Sequence, residues 1–503
     1  MATMTTIGER KDDSTFSVPD ENGPKPEYER APAPAPTPPY SLFTGKTLTA
    51  IIGIASITSF MSSFTVTIYF PELNEIATDL GVTTELINLT VTVYFVLQGF
   101  APVLWSSLAD SIGRRPVFAM TYSIYVVANV IISVTKSFPS LMIMRMVQAT
   151  GAAPSMAIAA ATVADVVDRE SRGSYMGFVL SMSMTAPAIA PVLSGVLSLA
   201  SYGWRTAFLF MLALSVVVWA VLIVWMPETS RNVVGNGSIE PKNWYGKSVI
   251  EILRGKTWPA DPDWSTLSPP KPLRNPLRIL SVFAEYDILV VLFINGIFYS
   301  IYSALTVGAS SDFATEYHLS TLKVGLCYLP LGCGCSIGSI VAGRILDYDY
   351  RAAVNRLGYG VTENDEFPLE QVRLKRTFWL ALPFFGGLIG FGWSFKYHAH
   401  LAVVLVMMFL CGFGALSIYT GVQVLITDLY PHQSAGVNAT NNLVRCWMGG
   451  AASALVEIIR DHIGVSWTYT LLALLTLLAA PLVIIEILYG REWRRTRNKK
   501  LEI

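Results

Sequence analysis

One arginine stands out because it lies inside a stretch that is otherwise apolar. Arg145 occurs in the sequence Leu-Met-Ile-Met-Arg-Met-Val-Gln, and Gln148 follows it by three residues on the same helical face. An arginine in the middle of a lipid bilayer costs from about 3 to above 10 kcal/mol. We therefore expect Arg145 to face a water-filled cavity or a bonding partner, or to cap backbone carbonyls as a structural group.

Arg445 is a second arginine within an apolar stretch. It follows Asn441 by four residues and Asn442 by three, so the three side chains share one face of a predicted helix. This face either lines a cavity or packs against a neighbouring helix, and the sequence favours neither arrangement.

An acidic residue followed by arginines marks the end of another apolar stretch. Residues 106–115 read Ser-Ser-Leu-Ala-Asp-Ser-Ile-Gly-Arg-Arg and include Asp110 and Arg114. A related pattern at 343–351 places Asp347 shortly before an arginine. Equivalent motifs at equivalent positions indicate a chain built from two related halves.

Aromatic, amide and hydroxyl side chains lie on several of the apolar segments. Together they suit a site for bulky amphiphilic ligands, although each residue could equally serve helix packing. The candidate ligand-binding residues are Tyr94, Gln98, Asn295, Tyr299, Tyr302, Tyr419, Gln423, Asn442 and Arg445.

The composition requires that these residues be positioned by membrane-spanning helices. The 503 residues are 52% hydrophobic and only 14% charged, whereas soluble chains carry about 25% charged residues. A bilayer-spanning helix needs about 20 apolar residues. The sequence predicts twelve such segments, at 47–70, 87–107, 116–135, 139–163, 174–200, 205–226, 286–308, 324–345, 377–395, 401–427, 435–459 and 467–489.

The distribution of basic residues predicts the orientation of these segments. With both termini on one side, 29 of the 36 Lys and Arg residues fall on that side and 5 on the other. Because positive residues concentrate in cytoplasmic loops, both termini are predicted to be cytoplasmic. The fold class is therefore an all-α membrane protein with twelve transmembrane helices in two six-helix halves.

The segments divide the chain into five parts. Residues 1–46 are predicted to be a disordered, proline-rich cytoplasmic tail, and 490–503 a basic cytoplasmic tail. The two six-helix halves comprise 47–226 and 286–489. Between them, 227–285 forms a cytoplasmic loop whose stretches at 244–254 and 273–283 are either interfacial amphipathic helices or parts of a solvated linker.

Several classes of function are disfavoured by what the sequence contains. Lys+Arg and Asp+Glu are equal at 36 each, which gives no electrostatic basis for binding nucleic acid. The five cysteines and five histidines form no metal-ligating pattern, and no nucleotide-binding Gly-rich loop is present. We expect no cofactor, no metal and no enzymatic activity.

The motifs resemble those of the major facilitator superfamily. Residues 106–115 are similar to its loop signature G-x-L-A-D-R-x-G-R-R, with serine at the first position and at 111. Arg145 and Gln148 match its R-x-x-Q-G motif. Pro187 and Pro191, which would bend the fifth segment, match the antiporter signature G-P-x-x-G-P-x-x-G-G, with alanine or serine replacing several glycines.

Further fragments in order from 47 to 489 resemble the fungal drug:proton antiporters with twelve spans, in particular the quinidine-resistance-like group. The resemblance implies proton-coupled export of small amphiphilic compounds by alternating access, at the plasma membrane or alternatively the vacuolar membrane. It assigns proton coupling and gating to Arg145, Asp110, Gln148, Arg114 and Asp347. The partners implied are a small-molecule substrate, protons and the lipid bilayer, and one chain with both halves favours a monomer.

Two alternatives remain open at this stage. One is an exporter dedicated to a single metabolite, such as an organic acid or secondary product, whose anionic group Arg145 and Arg445 would hold. The other is a transporter-like sensor that does not translocate a substrate, which the short C-terminal tail disfavours. No Asp or Glu is expected in the middle of a span; Asp110, Asp165, Glu457 and Glu486 are all placed near span ends.

Overall fold

The computed structural model describes residues 39–168, 172–200, 202–255, 258–259, 262–267, 285–357, 367–429 and 434–501. Within these ranges the chain is helical and contains no β-strand. The predicted all-α fold class is confirmed.

The first six spans are formed by eight helices. Pro154 begins α6 directly after α5 ends, so these two helices together make one interrupted span. A short 3₁₀ turn, Phe70–Glu72, precedes α2. The helices are α1 Gly45–Thr67, α2 Leu73–Leu80, α3 Thr84–Ile112, α4 Arg114–Val134, α5 Phe138–Ala152, α6 Pro154–Val166, α7 Arg172–Leu197 and α8 Arg205–Trp225.

Two short helices in the connecting loop precede the second half. They are α9 Arg231–Val234 and α10 Val249–Leu253. The second half contains α11 Tyr286–Glu316, α12 Thr321–Cys327, α13 Leu329–Leu357, α14 Leu369–Trp379, α15 Leu382–Lys396, α16 Leu401–Leu429, α17 Ser434–Ile463 and α18 Val465–Leu501.

Ten spans in the described ranges are long and apolar enough to cross a membrane. Three of them join two helices each: α1–α2, α5–α6 and α12–α13. The other two of the twelve predicted spans correspond to α14–α15 and α17. The α14–α15 pair is interrupted and carries charges near its start, and α17 carries many polar residues. Both nevertheless pack within the bundle, α15 against α16 and α18, and α17 against α3 and α11. The twelve-helix layout is therefore consistent with the structure.

The ends of the helices lie at two faces of the bundle. We call the face where α1 begins and α18 ends the terminal face, and the other the opposite face. The halves contact each other mainly where α3 meets α17 and where α7 meets α12 and α13. A hydrophobic core of buried residues runs through both halves.

Several boundaries differ from those predicted. Helix α11 continues to Glu316, past the predicted end at 308, and its residues from Gly308 to Phe313 are all buried. Helix α18 continues to Leu501 into the predicted C-terminal tail. The 244–254 stretch forms a 3₁₀ turn and the short α10 rather than one long helix. The predicted helix at 273–283 and the tail up to residue 38 lie outside the described residues.

Candidate functional site

Arg145 lies between two tyrosine rings in the core of the first half. Only 1% of the residue is exposed. Its guanidinium carbon is 4.0 Å from the ring centre of Tyr69 and 4.3 Å from that of Tyr94. Such cation–π contacts contribute about 0.5–2 kcal/mol each, more when desolvated. The rings stabilise the charge in place without neutralising it.

The remaining contacts of Arg145 are amides. Its Nη1 donates a 2.6 Å hydrogen bond to Gln148 Oε1, and Gln148 Nε2 donates to Asn129 Oδ1 of α4 at 2.7 Å. The Nε atom of Arg145 has no partner. Among the described residues no carboxylate pairs with this guanidinium. The predicted pairing of Arg145 and Gln148 on one helical face is therefore observed, within a neutral hydrogen-bonded chain.

Arg445 has a closely similar environment in the second half. Its guanidinium carbon lies 4.5 Å from the ring centre of Tyr299 in α11 and 5.3 Å from that of Tyr419 in α16. Its Nη2 donates to Asn442 Oδ1 at 2.7 Å, and its Nε lacks a partner. The side chain is half-buried. Arg445 thus packs on aromatic rings of two neighbouring helices and is partly exposed, and the cavity-lining arrangement stays a prediction.

Helix α3 joins the two arginine environments across the interface between the halves. Tyr94 contacts Arg145, and the ring of the next residue, Phe95, meets that of Tyr299 edge-on at 6.0 Å. Asn442 Nδ2 donates to the backbone oxygen of Gln98 at 2.9 Å. Both guanidinium groups are thus held by contacts that include α3.

A chain of amides crosses the second half beside this site. Asn295 Nδ2 donates to Asn441 Oδ1 at 2.7 Å, and Asn441 Nδ2 donates to Gln423 Oε1 at 3.1 Å. Gln423 Nε2 in turn donates to Asn438 Oδ1 at 2.5 Å. The sequence placed Asn295 and Gln423 in a ligand site without indicating that Asn441 would connect them.

The predicted ligand-binding residues differ in their exposure. Tyr94 and Asn295 are buried. The hydroxyl of Tyr302 lies 3.9 Å from Cys335 Sγ, and its ring is 6.2 Å from that of Tyr299. Half-buried are Gln98, Tyr299, Tyr302, Tyr419, Gln423, Asn442 and Arg445.

The acidic loop motif forms a separate cluster at the terminal face. Arg114 Nη1 lies 2.5 Å from Asp110 Oδ1, and its Nε lies 2.9 Å from Asp165 Oδ2. The backbone N–H of Arg114 donates to Glu228 Oε1 at 2.8 Å. Asp110, Arg114 and Asp165 belong to the first half and Glu228 to the loop that follows it, so these contacts include no ion pair between the halves within the described chain.

Glu228 lies just beyond the end of α8. Burial raises the pKa of its carboxyl group, while backbone N–H groups of Ser230, Arg114 and Thr229 act in the other direction. At Gly113 the backbone has φ of +113°, and a Cβ there would overlap the Glu228 carboxylate. A glycine is therefore needed between α3 and α4 for this carboxylate to approach.

The five residues assigned to proton coupling do not form one site. Asp110 lies 16 residues beyond Tyr94 along α3, about 24 Å at 1.5 Å per residue, whereas Tyr94 contacts Arg145. Asp347 is exposed at the terminal face, and its carboxylate has no ion pair in the part of the chain that the structure describes. The assignment of these residues to coupling stays a prediction.

Pro187 and Pro191 both lie inside α7, which continues through them as one helix. This helix packs closely on the second half. A Cβ added at Gly325 would overlap the backbone oxygen of Pro191, and one added at Gly332 would overlap Cα of Ala188. Small residues therefore allow backbone-to-backbone contact between α7 and α12–α13.

A buried acidic residue near the opposite face, Asp312, was not identified from the sequence. Asp312 is fully buried in α11, accepts a 2.5 Å hydrogen bond from the Tyr469 hydroxyl and pairs with Arg460 at 3.4 Å. Arg460 also pairs with Glu457. Asp312 was missed because the apolar window ended at 308. The signal that could have extended the helix is that 309–316 contains neither Gly nor Pro, the residues that usually end a helix.

The arrangement at the bundle centre can hold a ligand electrostatically but contains no evident catalytic group. The described residues include no group of three or more His, Cys, Asp or Glu able to hold a metal ion. A guanidinium group without a carboxylate partner favours a negatively charged ligand. The surrounding tyrosine rings provide apolar surface for the rest of such a molecule.

Comparisons with known proteins agree with the fold. The sequence profile of the Major Facilitator Superfamily matches residues 55–454. The chain is 32% identical over 481 residues to Citrate exporter 1 of Aspergillus niger, which covers 92% of this chain and 90% of that protein. It is 31% identical over 493 residues to Multidrug transporter QDR2 of Candida glabrata. This alignment covers 93% of this chain and 84% of that protein.

Solved structures share the fold at low sequence identity. The crystal structure of a D-xylose-proton symporter gives a TM-score of 0.62 at 14% identity and covers 87% of this chain and 97% of that one. The crystal structure of the human organic anion transporter MFSD10 (TETRAN) gives a TM-score of 0.57 at 16% identity. The match covers 88% of this chain and 100% of that one. At these identities the likeness concerns the fold alone.

Proposed function

The chain belongs to the major facilitator superfamily, and we propose that it exports small organic anions, binding their carboxylates between Arg145 and Arg445. The observation that carries this proposal is that both guanidinium groups lie among tyrosine rings and neither pairs with a carboxylate among the described residues. A buried charge without a counter-ion is costly, and an anionic ligand would remove that cost.

The electrostatics of the site disfavour a cationic substrate. A lipophilic cation near the bundle centre would meet two positive groups, and like charges repel strongly at short range where water is excluded. The tyrosines could contact a cation through their faces, but these faces already contact Arg145 and Arg445. Carboxylate-bearing compounds therefore fit better than cations. One relative, Citrate exporter 1 of Aspergillus niger, is named for a compound that bears carboxylates.

A second candidate substrate class is neutral amphiphilic compounds. The half-buried tyrosine and amide side chains around Arg445 offer apolar and hydrogen-bonding surface without requiring a charge on the ligand. A relative named a multidrug transporter supports this possibility.

Transport is proposed to proceed by alternating access and to be driven by inward proton flow. The antiporter-like segment around Pro187 and Pro191 supports export. We retain Arg145, Gln148, Asp110, Arg114 and Asp347 as candidates for coupling and gating.

The excess of basic residues supports a cytoplasmic terminal face. A monomer at the plasma membrane, or alternatively the vacuolar membrane, is the proposed setting.

The test uses purified protein in liposomes with an imposed pH gradient. Uptake of a radiolabelled tricarboxylate, of a neutral amphiphile and of a fluorescent lipophilic cation is measured for the wild type, Arg145→Ala and Arg445→Ala. Gradient-driven tricarboxylate uptake that falls at least about tenfold in both variants supports the proposal, because removing a buried charge–charge contact costs about 2–5 kcal/mol. Lys396→Ala, at the opposite-face end of α15, serves as the control.

Two results would overturn the anion proposal. One is tricarboxylate uptake that is unchanged in both arginine variants. The other is gradient-driven uptake of the cation in the absence of any anion uptake. Uptake of the neutral amphiphile alone would favour the second candidate class, and uptake that ignores the pH gradient would contradict proton coupling.

A further inference from the structure

A buried carboxylate lies in the turn between α1 and α2 at the opposite face. Glu72 is 0% exposed. Its Oε1 accepts a 2.5 Å hydrogen bond from Ser194 Oγ of α7, and its Oε2 has no hydrogen-bond partner. No Lys, Arg or His among the described residues forms an ion pair with it. A full negative charge in this position would be uncompensated.

Glu75, one helical turn later, is the ionisable group that faces Glu72. The two carboxyl groups are close enough to interact electrostatically. Two carboxylates this close repel each other strongly, whereas a carboxyl group and a carboxylate can share one proton. A proton on Glu72 Oε2 would give this unpartnered atom a hydrogen to donate.

The other charged groups on the elements packed around this turn are paired or exposed. Asp79 of α2 pairs with Arg205 at 2.8 Å, and Asp312 of α11 pairs with Arg460. Lys323 of α12 is exposed. Helix α7 contributes the hydroxyl of Ser194. None of these groups replaces the missing partner of Glu72.

Glu75 connects this pair of carboxyl groups to the second half of the protein. Its Oε1 accepts a 2.9 Å hydrogen bond from the backbone N–H of Trp204, and its Oε2 accepts a 3.1 Å bond from Thr321 Oγ1 at the start of α12. Beside Thr321, Leu322 lies against Gly195 of α7. The pair therefore lies where the halves close on each other at this face.

We propose that Glu72 and Glu75 form a proton-binding site that holds one proton while the halves are closed at the opposite face. The proton on Glu72 Oε2 donates to the Glu75 carboxylate, which accepts from Thr321 across the interface. Separating the halves breaks the Thr321 bond and admits water, so Glu72 can ionise and release its proton to that side. Acid at the opposite face then favours closure. The inference rests on the alternating-access transport proposed above.

The experiment measures closure directly and needs no substrate. Spin labels are placed at Tyr202 and Tyr397, exposed tyrosines of the first and second half near the opposite face, in a background with the exposed Cys333 replaced by Ser. Pulsed electron resonance gives their distance distribution in the full chain between pH 5 and 9. In the wild type, the ratio of open to closed populations should rise with pH, at up to about tenfold per pH unit for one linked proton.

The variant Glu72→Gln cannot ionise, so its amide can donate to Glu75 at every pH. We expect it to stay closed with no pH response, while Asp79→Asn, at an exposed acid of the following helix α2, keeps the wild-type response. Glu72→Asp keeps an ionisable carboxyl group, so it should again show a pH-dependent ratio of open to closed populations. Such a result distinguishes loss of proton binding in Glu72→Gln from a failure to fold. A wild-type response in Glu72→Gln, or no response in the wild type, overturns the proposal. Either result leaves the anion-export proposal untouched, because no transport is measured.

Discussion

The guanidinium of Arg445 lies 4.5 Å from the ring centre of Tyr299, and the same ring meets Phe95 of the other half. Tyr299 therefore contacts at once a proposed substrate-binding charge and the interface that must rearrange during alternating access. A substrate that draws Arg445 away from this ring would weaken the contact with α3. We therefore expect substrate binding and movement of the halves to be linked at this residue.

Replacing Tyr299 tests this link. Tyr299→Ala removes the ring that positions Arg445, and we expect the KM for an organic anion to rise by about 2- to 30-fold, since one cation–π contact is worth about 0.5–2 kcal/mol. Tyr299→Phe keeps the ring and should remain near the wild-type KM. Initial rates in liposomes give both values. Equal losses in the two variants would show that the hydroxyl group, and not the ring face, is what matters.

A carboxylate placed beside Arg145 should compete with the substrate. Gln148→Glu would form an ion pair with the guanidinium that now bonds to Gln148 Oε1 at 2.6 Å. We expect this variant to fold normally and to lose anion transport by at least about tenfold, because a buried pair in this geometry satisfies the charge internally. Gln148→Met serves as the uncharged comparison. Thermal unfolding is measured alongside uptake, and unchanged uptake in Gln148→Glu would argue against Arg145 as an anion ligand.

The contact between α7 and α13 should tolerate almost no added volume. In Gly332→Ala the new Cβ would overlap Ala188, so the halves must separate at this point. We expect the label pair at Tyr202 and Tyr397 to shift toward longer distances. Gly343→Ala, on the same helix with open space around it, should leave the distances unchanged. A closed distribution in Gly332→Ala would mean that α13 adjusts locally instead.

Composition and spacing were sufficient for the fold class and for some of the polar residues in the bundle. A bilayer demands long apolar helices, so the spans could be counted along the chain, and a superfamily profile confirms the resemblance that the motifs suggested. Arg145 and Gln148 were identifiable together because residues three apart share a helical face. Their hydrogen bond depends on local geometry alone.

Contacts between distant segments depended on how the helices pack. Tyr69 lies 76 positions before Arg145, and no helical period relates them, yet their side chains stack at 4.0 Å. Asn441 joins Asn295 to Gln423 because α11, α16 and α17 converge at that level. Glu72 was not recognised because it lies beyond the predicted first span. The Glu72 side chain is buried only because α7 packs over the turn. The residues around Glu72 in the sequence do not indicate which distant helix will cover it.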